Sequence, residues 1–161
     1  MTRYLLDADV FIQAKNLHYG FDICPGFWDW LAQANRQGIV ASVEQVKDEL
    51  LAGGDDLAEW AKAQGQGMFL PPDASVIGAF NDVMRWVVGN GYDAAAVHTF
   101  GQVADAWLIA HALALQCAVV THEVPADTLK KVKIPNVCAG LEVRFMNPFQ
   151  MLRREGVQFR L

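Results

Sequence analysis

Residues 4–12 read YLLDADVFI, an apolar run that carries two aspartates, Asp7 and Asp9, at its far end. Tyr4 to Leu6 has the character of a buried strand, and Phe11 to Lys15 starts a helix. Asp7 therefore stands at the carboxyl end of a strand. A carboxylate buried there without a partner loses its hydration, which is costly. The two acids need a partner, and the rest of the chain is read with that need in mind.

Outward from this stretch, short strands and helices alternate. His18 to Gly26 (HYGFDICPG) has the Gly, Asp and Pro content of a loop. Phe27, Trp30, Leu31 and Ala34 fall at i, i+3, i+4 and i+7, the face of an amphipathic helix stopped by Gly38. Ile39 to Ala41 is a short strand. Ser42 and Gln45 have the spacing of a capping box for a helix running to about Leu51. Gly53 and Gly54 break that helix, and Asp55 opens another. Met68 to Leu70 reads as a strand closed by Pro71 and Pro72, followed by a long helix to about Val88. A helical stretch from Asp93 leads into ADAWLIAHALAL, and Cys117 to Thr121 (CAVVT) is a β-branched strand. A strand near Glu142 to Phe145, a helix after Pro148 and a terminal VQFRL complete the chain. Strands separated by helices imply a parallel sheet covered by helices. Ligands of such sheets bind outside the carboxyl ends of the strands.

Composition bounds the function. The chain has 161 residues, 53% hydrophobic and 11% aromatic, which suits one folded domain over residues 1–161. No apolar run reaches the roughly 20 residues of a bilayer span, so no membrane role is expected. The N-terminal MTRYLLDADV has too short an apolar segment for a secretory signal. Cys24, Cys117 and Cys138 are odd in number and form no CxxC pair, the pattern of reduced thiols in a cytoplasmic protein. A net charge of −5 excludes polyanion binding by bulk attraction. A nucleic-acid role then requires local basic patches or bridging metal ions.

Three further acids share the setting of Asp7. Glu123 follows the strand that ends at Thr121. Glu49 lies in the helix after the second strand, with Val46 and Ala52 on its side. Asp105 heads ADAWLIAHAL, with Leu108, Ile109 and Ala112 behind it. Taken singly, Asp7 can cap a helix, Asp105 can complement a helix N-terminus, and Glu49 and Glu123 can be solvated acids. Taken together, they suit a hard cation. Clustered carboxylates raise one another's pKa unless a cation compensates, and Mg²⁺ takes one or two carboxylates while keeping waters for exchange with phosphate.

In LLDADVFI, VKDELL, ADAWLIAHAL and VVTHE, in this order, the chain resembles the PIN-domain family of metal-dependent nucleases. Within it, FDICPGFWDWL, THE and KIPNVC are similar to a bacterial PIN-like subfamily known as a domain of unknown function. The resemblance implies a three-layer α/β/α sandwich around a mainly parallel sheet. It implies Asp7, Glu49, Asp105 and Glu123 as catalytic metal ligands, with Asp9 beside them and Thr121 in support. It further implies Mg²⁺ or Mn²⁺, hydrolysis of RNA phosphodiesters, a VapC-type toxin role with an antitoxin protein, and a homodimer. Asp9 stands where Asn or Ser is usual in the family, and Glu123 where Asp is more common.

Two other readings stay open. A strand followed by D-x-D also begins haloacid-dehalogenase-like phosphohydrolases, but Val10-Phe11 and HEVPAD do not continue that pattern. A catalytically silent PIN-like module binding RNA or protein has no use for four acids. Lys130, Lys131 and Lys133 in LKKVK can contact phosphates or be a solvated loop. His122 can touch a phosphate or orient water, whereas His18, His98 and His111 read as structural. Tyr19, Phe21 and Trp28 can stack on bases or belong to the core, and Arg153 and Arg154 suit a helix C-terminus.

Overall fold

The computed structural model describes residues 1–161. Tyr4–Leu6 forms β1, with every side chain buried, and lies at the centre of a five-stranded sheet. On one side it pairs with β2 (Val40–Val43), which pairs with β3 (Phe69–Leu70); on the other it pairs with β4 (Ala118–Val120), which pairs with β5 (Phe145–Met146). All four pairings are parallel, with Tyr4 opposite Val40 and Leu5 opposite Val119. Fully buried apolar strands are what a parallel sheet covered on both faces requires. The helices flanking it complete a PIN-like α/β/α fold around a cluster of 44 buried residues. The chain moves outward from β1 through β2 and β3, then returns to the far side of β1 for β4. That reversal opens a crevice at the carboxyl ends of β1 and β4, where Asp7 and Glu123 were expected to meet.

Several local expectations change. Ser42 lies within β2, and its buried hydroxyl donates to the Leu6 carbonyl at 2.6 Å. It therefore caps nothing, and α3 (Glu44–Ala52) starts without a side-chain cap. The real capping box is Asn147 with Gln150, at the head of α9 (Pro148–Arg154). Asp55 does open α4 (Asp56–Ala63), accepting from the Ala58 N–H at 3.1 Å. The helical stretch after Asp93 is two helices, α6 (Ala94–Gln102) and α7 (Ala104–Leu115), with an extended Val103 between them. Ile134–Gly140, unread as a helix, is α8. The final strand begins at Phe145, because Glu142 turns the chain at φ 59°. Residues 157–161 form no regular element.

The loop His18 to Gly26 is shorter than expected. A π-helical turn, Ala14–His18, extends α1 (Ala8–Gln13), and α2 (Pro25–Arg36) begins with Pro25 in its first turn. Inside it the aromatics pack on one another. Tyr19 stacks on Phe27 at 4.5 Å and Phe21 on Trp28 at 4.2 Å, and the Trp28 Nε1–H donates to the Tyr19 carbonyl. Their faces are taken by each other. Cys24, Cys117 and Cys138 are free thiols. On the other side of the molecule α5 (Ala74–Val88) packs along α7, and its Trp86 indole lies directly on Gly140, leaving no room for a Cβ there.

Candidate metal centre

Asp7 is the residue after β1, and its N–H donates to the Val120 carbonyl of β4 at 2.9 Å. The strand pairing thus continues into the acid itself, which is only 5% exposed. Thr121, one residue beyond β4, is buried beside it. Its Oγ1 lies 2.8 Å from Asp7 Oδ2 and 3.2 Å from Asp9 Oδ2, and accepts from the Glu123 N–H at 3.1 Å. A hydroxyl carries a single proton, so it donates to one of the two carboxylates at a time. Asp9, in the first turn of α1, also accepts from the His122 N–H at 3.1 Å. Glu123 Oε1 accepts from the Ile134 N–H at the head of α8, at 3.2 Å. Asp7, Asp9 and Glu123 each present a carboxylate oxygen, and these lie within 4.8 Å of one another.

Glu49 and Asp105 stand outside this trio but within its field. Glu49 Oε1 accepts from the Ala104 N–H at 3.4 Å, so an acid of α3 occupies an orphan donor at the start of α7. Asp105 follows in the first turn of α7. Burial, then the charges of Glu123, Glu49 and Asp9, push its carboxyl up to about 7. Burial raises Asp7 well above the usual carboxylate range, reinforced by Asp9, Asp105 and Glu123. Glu49 is raised by desolvation, with the Ala104 N–H opposing. None of the four ion pairs of the molecule involves any of these five acids. An all-oxygen set of uncompensated carboxylates suits a hard divalent cation and can hold one.

The raised pKa values set a direction for stability. A carboxyl that holds its proton more tightly folded than unfolded contributes stability below its unfolded pKa. That stability is lost as pH rises through the folded value, here between about 4 and about 7 for Asp105. Each unit corresponds to about 1.4 kcal/mol. His111 and His122, whose pKa values burial lowers, contribute the opposite slope over the same interval, so Asp105→Asn is the reference. In EDTA the change in Tm from pH 5.5 to pH 8 is expected to be more negative in wild type than in Asp105→Asn, with Mn²⁺ restoring the wild-type Tm mainly at pH 8. An equal change in both proteins counts against the arrangement.

Around the trio, the basic and aromatic residues divide. Lys130 and Lys131 line a cleft of about 490 Å³ whose wall also includes Glu49 and Asp105. Lys133 does not line it and instead precedes α8 as its N-cap residue. His122 is stacked on His18 at 5.6 Å, with the Phe149 ring edge-on to His18 at 5.1 Å. His18 is thus a neighbour of the acid site. Its distance along the chain hid this, because no spacing rule reveals what a π-helical turn brings around. His111 is buried in α7 and its Nε2 has no partner; desolvation lowers its pKa to about 4.

Sheet order, crevice and acid trio define a protein of PIN-like fold. A chain of VapBC2 from Rickettsia felis, solved bound to a DNA fragment from their promoter, superposes on it with a TM-score of 0.56. The match is 14% identical and covers 91% of this chain and 98% of that one. The chain belongs to the family described as a domain of unknown function, DUF4411, whose model matches residues 4–159. No curated protein matches it. No helix is long and apolar enough to cross a membrane.

Proposed function

We propose that this protein is a metal-dependent endoribonuclease, its residues 1–161 acting as one catalytic domain. The observation that carries the reading is the acid trio at the crevice between β1 and β4, with Asp7 buried, Asp9 and Glu123 partly so, and none of the three in an ion pair. Asp7, Asp9 and Glu123 hold Mg²⁺ or Mn²⁺, with Asp105 and Glu49 completing the acidic wall. When bound, such an ion neutralises phosphodiester charge and acidifies an attacking water. The Thr121 hydroxyl and the His122 and Ile134 N–H groups fix the orientation of the carboxylates, as outer partners do in metal sites. Asp105, buried beside the trio and within the field of Glu123 and Asp9, is the carboxylate placed to orient the attacking water and take its proton. Lys130 and Lys131 take phosphates of the strand, and Lys133 serves from the margin. The likeness to a VapBC2 chain supports a toxin role with an antitoxin protein as partner; a homodimer is carried over from the family resemblance alone.

The test is cleavage of a mixed single-stranded and structured RNA pool in Mg²⁺, Mn²⁺ or EDTA, with wild type beside Asp105→Asn. Cutting that requires metal and falls at least a hundredfold in the variant is the expected result. Equal cutting by both proteins refutes the assignment. Metal binding without cutting in any condition favours a silent RNA- or protein-binding module.

A further inference from the structure

The cleft beside the acids is built in three chemically different parts. Glu49 and Asp105 form one wall, and Lys130 and Lys131 come from the loop after β4. The remaining lining is mostly apolar, including Ala95 and Val103, with Thr99 supplying an uncharged hydroxyl. A groove that gripped only phosphates would be lined with donors. Here two lysines and the acids Glu49 and Asp105 share a cavity with a predominantly apolar surface, and a volume of about 490 Å³ is in the range of small-molecule pockets.

We infer that this cleft receives one unstacked nucleobase of a single-stranded RNA, next to the phosphate held at the acid site. The inference rests on the nuclease reading and adds a substrate class and a specificity pocket to it. An extended strand offers phosphates to the lysines and a base to the apolar lining. A paired or stacked base cannot enter, so the preference is for single strands. Ala95 keeps the space open, being small on the exposed face of α6. The Thr99 hydroxyl can donate or accept, so it reads a base edge without demanding one pattern. An apolar side chain of a protein could fill the same volume, but it would leave the adjoining lysines unused.

Thr99→Trp and Ala95→Phe each fill the cleft from exposed positions of α6, and His98→Trp, on the same helix but outside the lining, is the control. Binding of fluorescent decauridylate is read by anisotropy in an Asp7→Asn background, which keeps the strand uncut. Cleavage of the same oligomer in Mn²⁺ is read without that change, and Mn²⁺ calorimetry and Tm are measured alongside. The inference expects both filling variants to lose RNA affinity and cleavage about tenfold or more. Their Mn²⁺ affinity and Tm should match those of His98→Trp. An oligomer with abasic sites should bind wild type as weakly as the intact oligomer binds Thr99→Trp. Should one filling variant unfold, the other carries the comparison. If wild type cuts and both filled proteins cut equally well, the cleft is not a base pocket, while the nuclease reading stands. If wild type neither binds nor cuts RNA, both readings fall together.

Discussion

Asp7→Asn is expected to be more heat-stable than wild type in EDTA at pH 8 and inactive in Mn²⁺. Asparagine keeps the shape of the side chain and an oxygen for the Thr121 hydroxyl, now 2.8 Å from Asp7 Oδ2. It removes a buried charge repelled by Asp9, Asp105 and Glu123. The raised pKa of Asp7 sets the sign: at pH 8, where wild type must carry that charge, the variant is the more stable protein. For a chain of this size each kcal/mol gained raises Tm by about 2–4 °C. The metal response runs the other way. Loss of an outer partner of a metal ligand costs about 10–100-fold in affinity or activity, so loss of the central carboxylate costs about a hundredfold or more. Differential scanning calorimetry with and without Mn²⁺ reads both signs in one experiment. Wild type should gain stability on adding Mn²⁺, and the variant should not. A variant that is less stable in EDTA would show that Asp7 is structural, since active sites are where charge is kept at the expense of stability.

The second large effect lies at the far end of α8, the helix whose first N–H holds Glu123. Gly140→Ala places a methyl inside the volume of the Trp86 indole, where the nearest ring atoms are Cζ2 and Cε2. The indole is rigid, so either the ring leaves its site or α8 moves away from α5. Overpacking of this kind costs about 1–3 kcal/mol, a fall in Tm of several degrees. Trp86→Leu in the same chain should recover much of the loss, although alone it removes apolar contact. The non-additivity of that cycle is the decisive quantity. Additive effects would mean that the two residues do not touch. Because α8 begins at Ile134, whose N–H holds Glu123, a shift of this helix should also weaken Mn²⁺ binding.

Much of the site was legible in the sequence because its acids sit where local pattern changes. Asp7 ends an apolar run, and Glu123 follows VVT. Asp105 opens a helix, although the sequence read that helix as continuous with the one before. Gly101, in the last turn of α6, stands two residues before the break at Val103, but a single Gly within an apolar helical pattern is a weak stop signal. The break is stabilised from a distance by Glu49, which occupies the Ala104 N–H. Tertiary contacts also misled the reading of Ser42, whose hydroxyl serves β1 instead of a helix. The same cause separates the trio from the wider acid set. Periodicity placed four carboxylates at one sheet edge and left Asp9 as an addition. The structure draws Asp9 inward, because Thr121 and the His122 N–H both reach it. His18 was out of reach of any local rule. Its stacking on His122 depends on a π-helical turn, a form found mostly at functional positions and without a distinctive sequence pattern.

The parallel pairing of β1 with β4 has a consequence in time. Asp7 is synthesised 114 residues before its hydroxyl partner Thr121. Contacts of such separation form late, after the loop between them has been closed. A growing chain that lacks Ala118–Val120 has β1 and β2 but no crevice, no Thr121 and no Glu123. This topology delays assembly of the acid site until β4 and the residues just after it have been made and have closed on β1.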